Sequence, residues 1–300
     1  MSFIRVKEEL FDKLLLKTLN KNNNKDNSCN CNSHNHDIIL TKDLPKRAKK
    51  HNTHLKKGVE KQVKTVQKHY NDHQEEIYAN PDYSLQELQD ELDIQTQEIL
   101  NSTNGTLTNT FMGSKKLACK QLRRKLTFRG VDDLDLSLLK QYNSLMVNRL
   151  IFDVQDALFR ILKESGIKGI EPMVVNMRYA DFVHSEVIRG SFFTANLRMN
   201  LISNDVSKRT ESTGLLQAFM DYGLTSVNIE PAGDNPCNDC VDFAINSPWY
   251  ISELNGQYPL HPNCECACVK IPEMMASKNP VPNPGSVDLV SFQNEWDDYL

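Results

Sequence analysis

The chain has 300 residues, 39% of them hydrophobic and 25% charged, with a formal net charge of -4. That length supports one large or two ordinary domains with a real buried core, and that balance reads as a soluble, mildly acidic protein. No apolar run approaches the roughly 20 residues of a bilayer-spanning helix, which excludes a membrane partner of that kind; charges run through the opening MSFIRVKEELFDKLLLK, which argues against a cleaved leader and for a reducing cytoplasm.

The opening stretch places Ile4, Leu10, Leu14, Leu15 and Leu16 among charges at helical spacing, so residues 1–20 are expected to form an amphipathic helix docked on the chain's own core or on a partner. The polar, asparagine-rich residues 21–40 bury too little apolar area to offset the entropy of ordering and read as a linker. Cys29, Cys31, His34 and His36 lie within that linker, with no scaffold to make them a metal site.

Residues 41–130 form a basic helical region. From Thr41 to Tyr70 ten Lys or Arg stand against two acids, and such a segment is drawn to phosphate backbones whatever the base sequence. Lys46, Arg47, Lys49, Lys50, Lys56 and Lys57 are the candidate contacts to non-specific double-stranded DNA, and a second basic patch from Lys115 to Arg129 adds Arg123 and Arg124. A solvated helix face is the plainer reading of both patches. Between them, Leu85, Leu88, Leu92, Ile94 and Ile99 repeat on a helical period, followed by STNGTLTNT, which reads as a turn or loop.

Residues 131–223 read as a helical core. A stripe of Leu138, Tyr142, Leu145, Val154, Leu158 and Ile161 predicts a helix from Asp132 to Ser165 with Gly166 as its stop. Two more helices are expected, over about 177–204 and from Asp205 to Tyr222. Beyond Gly223, TSVNIEP and CACVKIP alternate and are β-branched, so they predict two strands of a small antiparallel sheet in residues 224–275. Residues 276–300 are an acidic tail. The expected class is mainly α, a helical body with a small C-terminal β-hairpin lobe.

That lobe carries the most specific signal. Cys237-x-x-Cys240 is followed after twenty residues by His261-x-x-Cys264-x-Cys266-x-Cys268. Ligands three apart on tight turns are half of a zinc knuckle, and Pro236 and Pro262 stiffen both turns. Cys237, Cys240, His261 and Cys264 make a tetrahedral set. Cys266 competes with Cys264 for the fourth position, because residues two apart on a strand face the same side. Mixed nitrogen and sulfur donors favour a structural Zn2+, with iron the alternative. Trp249, Tyr250 and Tyr258 read as packing for the lobe. No G-x-S-x-G, H-E-x-x-H or P-loop occurs, so a metal-dependent hydrolase or nuclease rests only on unassigned acids near the metal, and no small-molecule substrate is indicated.

The order RTES (Arg209 to Ser212), a strand, DNPCNDC and then PLHPNCECAC resembles the C-terminal signature of phage head morphogenesis proteins, the Mu F-like minor head proteins, over roughly a quarter of the chain. The resemblance implies a non-enzymatic minor component of a tailed-phage head that is assembled in the host cytoplasm. It would sit in the virion interior near the portal, with the portal protein and the major capsid protein as partners and a part in head assembly, DNA packaging or delivery. Glu265 stands where that family commonly carries arginine.

Overall fold

Amphipathic repeats become long packed helices once each apolar stripe has a partner. The computed structural model describes residues 44–80, 85–189, 193–231, 236–252, 254 and 266–270. The N-terminal stretch, the asparagine-rich linker, His261, Cys264 and the acidic tail lie outside the described residues. In chain order the helices are α1 (Leu44–Asp72), α2 (Gln74–Ala79), α3 (Gln86–Gln121), α4 (Gly130–Lys168), α5 (Pro172–Ala180), α6 (Phe182–Ser185), α7 (Ala195–Asp221) and α8 (Asn238–Ile245). Strands β1 (Val187–Arg189) and β2 (Phe193–Thr194) form a short antiparallel hairpin. Strands β3 (Ser226–Pro231), β4 (Trp249–Tyr250) and β5 (Cys266–Lys270) form an antiparallel sheet in the order β4-β3-β5. Among the described residues no helix is long and apolar enough to cross a membrane.

The four long helices α1, α3, α4 and α7 pack against one another. On α1 the buried residues Leu55, Val59, Val66 and Tyr70 recur at helical spacing; α3 contributes Leu92, Leu107 and Phe111, and α4 contributes Tyr142, Leu150, Val154 and Leu158. The fourth, α7, is different: it is buried on all sides, yet much of its buried surface is polar. Such a helix is tolerated only if each polar group finds a partner among its neighbours, and those partners set the architecture.

Several expectations give way here. STNGTLTNT is not a loop; it lies in the middle of α3. The hydroxyls of Thr103, Thr106 and Thr110 donate to the carbonyls four residues earlier, at 2.9, 3.2 and 2.9 Å, so the chain stays helical. Asn143 of α4 donates to Thr103 Oγ1 at 3.0 Å and to Asn104 Oδ1 at 2.9 Å, which explains why small polar residues stand where a loop was expected. The segment 177–204 is not one helix either. It breaks at Asp181, passes through the β1–β2 hairpin and restarts at Thr194, whose hydroxyl caps Leu197 N–H at 3.4 Å. The boundary expected at Asp205 does not exist, because Asp205 is tied to Arg209 within α7.

Gly166 does not end α4; the stop is Gly169, left-handed at φ 59°. Gly166 instead allows α2 to approach, since a Cβ there would lie 2.6 Å from the Ile77 carbonyl oxygen. Ile94 and Leu145, placed by periodicity on buried stripes, face solvent. Among the described residues, the apolar stretch after Cys240 contributes to α8 and forms β4.

Helices α3 and α7 approach closely at Gly214, where an added Cβ would meet Phe111 O at 2.7 Å and Ser114 Cβ at 3.2 Å. Neither atom can swing away. Although alanine is the better helix former by roughly 1 kcal/mol, Gly214→Ala is expected to destabilise the protein by about 1–3 kcal/mol, as overpacking does. Urea denaturation would show it, and an unchanged or raised midpoint would contradict this packing.

Candidate metal centre

The two expected strands exist and pair. β3 and β5 run antiparallel in the register Val227↔Lys270, Ile229↔Cys268 and Pro231↔Cys266. The C-terminal end of β3, which leads to Cys237 and Cys240, therefore meets the N-terminal end of β5, which follows His261 and Cys264. Both ligand-bearing segments leave the same end of one ladder.

Cys237 is the N-cap of α8 and its Sγ accepts the backbone N–H of Cys240 at 3.3 Å. Cys240 is buried and Cys237 half-buried. An amide aimed at sulfur at a helix N-terminus favours the thiolate, the form that binds metal. The pair therefore sits on the first turn of α8, joined by one amide-to-sulfur hydrogen bond. Among the described residues no three His, Cys, Asp or Glu side chains converge on one point; His261 and Cys264 lie outside the described residues, and Cys266 is placed by its backbone alone.

Among the described residues, the buried apolar side chains around this pair are Val227, Ile229, Phe243, Ile251 and Leu254 with Cys240. Trp249 stacks on Phe243 with ring centroids 4.5 Å apart and donates from Nε1 to the Phe243 carbonyl at 2.8 Å. Ser247 Oγ accepts from Ile229 N–H at 2.8 Å, tying the chain after α8 to β3. Trp249 thus packs as the sequence suggests, whereas Tyr250 is 58% exposed.

The basic residues divide. On α1, Lys46, Lys49, Lys50, Lys57, Lys61, Lys64 and Lys68 are exposed. From Lys46 to Lys68 they form a ridge that rises about 33 Å at the helical 1.5 Å per residue. Lys56 is half-buried and lies 3.9 Å from Glu60, and Lys61 binds Glu98 at 2.6 Å. Arg47 departs from this face: its Nη1 donates to Thr110 O at 3.0 Å and Ser114 Oγ at 2.8 Å, and lies 3.7 Å from Glu211. Arg123 is exposed, in the left-handed turn that ends α3, and Arg124 is half-buried. Lys115, counted in the second basic patch, is fully buried.

Arg209 and Glu211 of RTES are buried as well. Arg209 Nε donates to both oxygens of Asp205, at 3.1 and 3.0 Å, and its guanidinium lies over the Tyr142 ring at 5.4 Å. Tyr142 donates to Asp205 at 2.7 Å; burial and then the Asp205 charge hold its hydroxyl well above the usual phenol range. The motif is an internal fastening between α4 and α7, while Glu211 holds Arg47 of α1. Asp205 was missed as a partner because its i,i+4 spacing from Arg209 reads equally well as a surface pair.

Sequence periodicity also gives no hint of His51. It is fully buried, with Nε2 donating to Asn143 Oδ1 and Nδ1 accepting from Ser203 Oγ, both at 2.9 Å, in the tautomer that satisfies both partners. Burial drives its pKa down to about 4, with the Asn143 hydrogen bond opposing and His54 adding to the fall. An unfolded chain takes up this proton near pH 6.5, so the stability that neutral His51 contributes is present above about pH 6.5 and is lost as the pH falls towards about 4. From about pH 7 to about pH 5 this loss is about 2 kcal/mol. His51→Gln is expected to remove that portion of the pH dependence, read from urea midpoints at the two pH values. Equal slopes in both proteins would place the dependence elsewhere.

Comparison of the chain with protein-family models, with curated proteins and with solved structures finds no match.

Proposed function

We propose that the chain is a minor head protein of a tailed bacteriophage. It acts inside the head at the portal vertex, in head assembly and in DNA packaging or delivery, and has no catalytic role. A structural Zn2+ is held by Cys237, Cys240, His261 and either Cys264 or Cys266. The observation that carries this reading is the β3–β5 register, which directs the two ligand-bearing segments of the signature to one end of one ladder. The lobe gains its rigidity from the metal and offers a fixed knob to the portal or the major capsid protein.

The lysine ridge of α1 faces packaged double-stranded DNA in this reading. Its rise of about 33 Å is close to one turn of B-form duplex, and each phosphate it neutralises releases counterions. Changing Lys57, Lys61 and Lys64 to glutamine would lower the slope of log affinity against log salt by about 2 to 3.

Co-purification of the full chain with the portal protein, with and without Cys237→Ser, tests the head assignment. Retention by the wild type with about one zinc per chain, and loss of both in the variant, is the expected result. Portal binding that survives loss of the metal would remove the lobe from the docking role. No portal binding in either form would remove the assignment.

A further inference from the structure

The outer face of α4 has a composition unlike that of a solvated helix. Leu138, Leu145, Phe152 and Phe159 follow one another at seven-residue intervals, with Leu134 one turn before the first. Phe152 is 71% exposed, Leu134 50% and Leu145 42%, while Leu138 and Phe159 are partly buried against the core. A straight helix drifts by about 20° every seven residues, which is why Leu145 and Phe152 stand outward while Leu138 and Phe159, at either end of the seven-residue series, lean in. Between Leu134 and Phe152 the exposed positions of the row, Ser137, Gln141 and Asn148, are uncharged, and the first charge on it is Asp156, 3.6 Å from Arg160. A face meant for water alternates charges of both signs; this one has the pattern of a helix–helix seam.

The chain itself contains a segment with the same repeat. Phe3 and Leu10, and Ile4 and Phe11, are seven apart, with Leu14 and Leu15 four further on. Apart from Val6 and Leu16, its other positions hold Arg5, Lys7, Glu8, Glu9, Asp12 and Lys13. Laid along α4, a helix of these residues, about 21 Å long, would cover the uncharged part of the row from Leu138 to Phe152 and present charges to water instead. Reach is no obstacle. Residues 21–43 span at most about 75 Å at about 3.3 Å per residue, and α4, with 39 residues, is about 58 Å long. A segment tethered this way has an effective concentration near the millimolar range, ahead of any free competitor.

We propose that residues 3–16 form a helix that packs along the row from Leu138 to Phe152 on α4 of the same chain. The seam is independent of the zinc lobe and of the phage assignment.

Hydrogen exchange of the full chain at low micromolar concentration tests this. Amides 4–16 are expected to exchange at least about tenfold more slowly than those of residues 21–40. The double substitution Leu145→Asp, Phe152→Asp, at exposed positions, is expected to release them while α3 and α7 keep their protection. If that variant loses the protection of α3 and α7, Phe152→Trp in a background with Trp249→Phe and Trp296→Phe supplies the second reading: its iodide quenching should rise at least about twofold when Leu10→Asp and Leu14→Asp are added. Unprotected amides 4–16 in the wild type, protection that persists in the α4 variant, or quenching that does not change would overturn the proposal. Protection that vanishes on dilution, together with a change in sedimentation, would also overturn it and assign the row to a second copy.

Discussion

Replacing Lys115 with methionine is expected to destabilise the protein by about 3–5 kcal/mol, the usual result of leaving buried charge without its counter-ion. Lys115 Nζ binds both Asp132 and Asp221, the latter at 2.8 Å, and all three side chains are fully buried. They come from α3, α4 and α7, so one ammonium joins three helices. Removing it leaves two carboxylates facing each other with Arg129, 3.7 Å from Asp221 and partly exposed, as a distant remaining cation. Adding Asp132→Asn and Asp221→Asn should restore most of the loss. The carboxamide oxygen that replaces the Asp132 carboxylate can still accept the Arg129 backbone N–H, which Asp132 accepts at 2.7 Å. Urea denaturation followed by circular dichroism reads both steps. A single-variant loss below about 1 kcal/mol would mean that water or protons reach the carboxylates.

Withdrawal of the proposed zinc should have the largest local effect. A structural zinc site contributes on the order of 10 kcal/mol of apparent binding free energy near neutral pH, as much as a whole domain's stability. Chelation, or Cys240→Ser, is therefore expected to unfold the lobe from Ser226 onward and leave the helical body intact. The chain has two tryptophans, so a Trp296→Phe background isolates Trp249, whose stacking on Phe243 makes it the reporter. Its emission should shift to the red while the helical circular dichroism persists. Acid should act as the chelator does, since thiolates and imidazole must deprotonate to bind. Unaltered Trp249 emission in metal-free protein would show that the lobe folds without zinc.

What the sequence shows of this protein follows the physics of periodicity. The strands at TSVNIEP and CACVKIP were legible because alternation and β-branching need no tertiary information, and they pair antiparallel as expected. The long helices were legible where one face is apolar. α7 was not legible as one helix, because a helix buried on all sides among polar partners has no stripe to read. Thr103, Thr106 and Thr110 resemble loop chemistry until their hydroxyls find carbonyls one turn back. Charge was the poorest guide to location. Lys115 and Arg47 read as surface basic residues, and only the carboxylates and carbonyls that surround them reveal their place inside.

The polar character of α7 has a mechanical consequence. Apolar helices can slide past one another by a turn, since one leucine contact replaces another at little cost. α7 is pinned at successive levels along its length: Arg198 to Asp153, Ser203 to His51, Asp205 and Arg209 to Tyr142, Gln217 to Asp135, and Asp221 to Lys115. A shift by one turn would break the pairs that α7 makes with its neighbours and strand their charges in the interior. The bundle is therefore keyed to a single axial setting. Any movement that leaves these pairs intact leaves the bundle intact too, and its boundary with the sheet is the turn where Gly223 takes a positive φ of 79°.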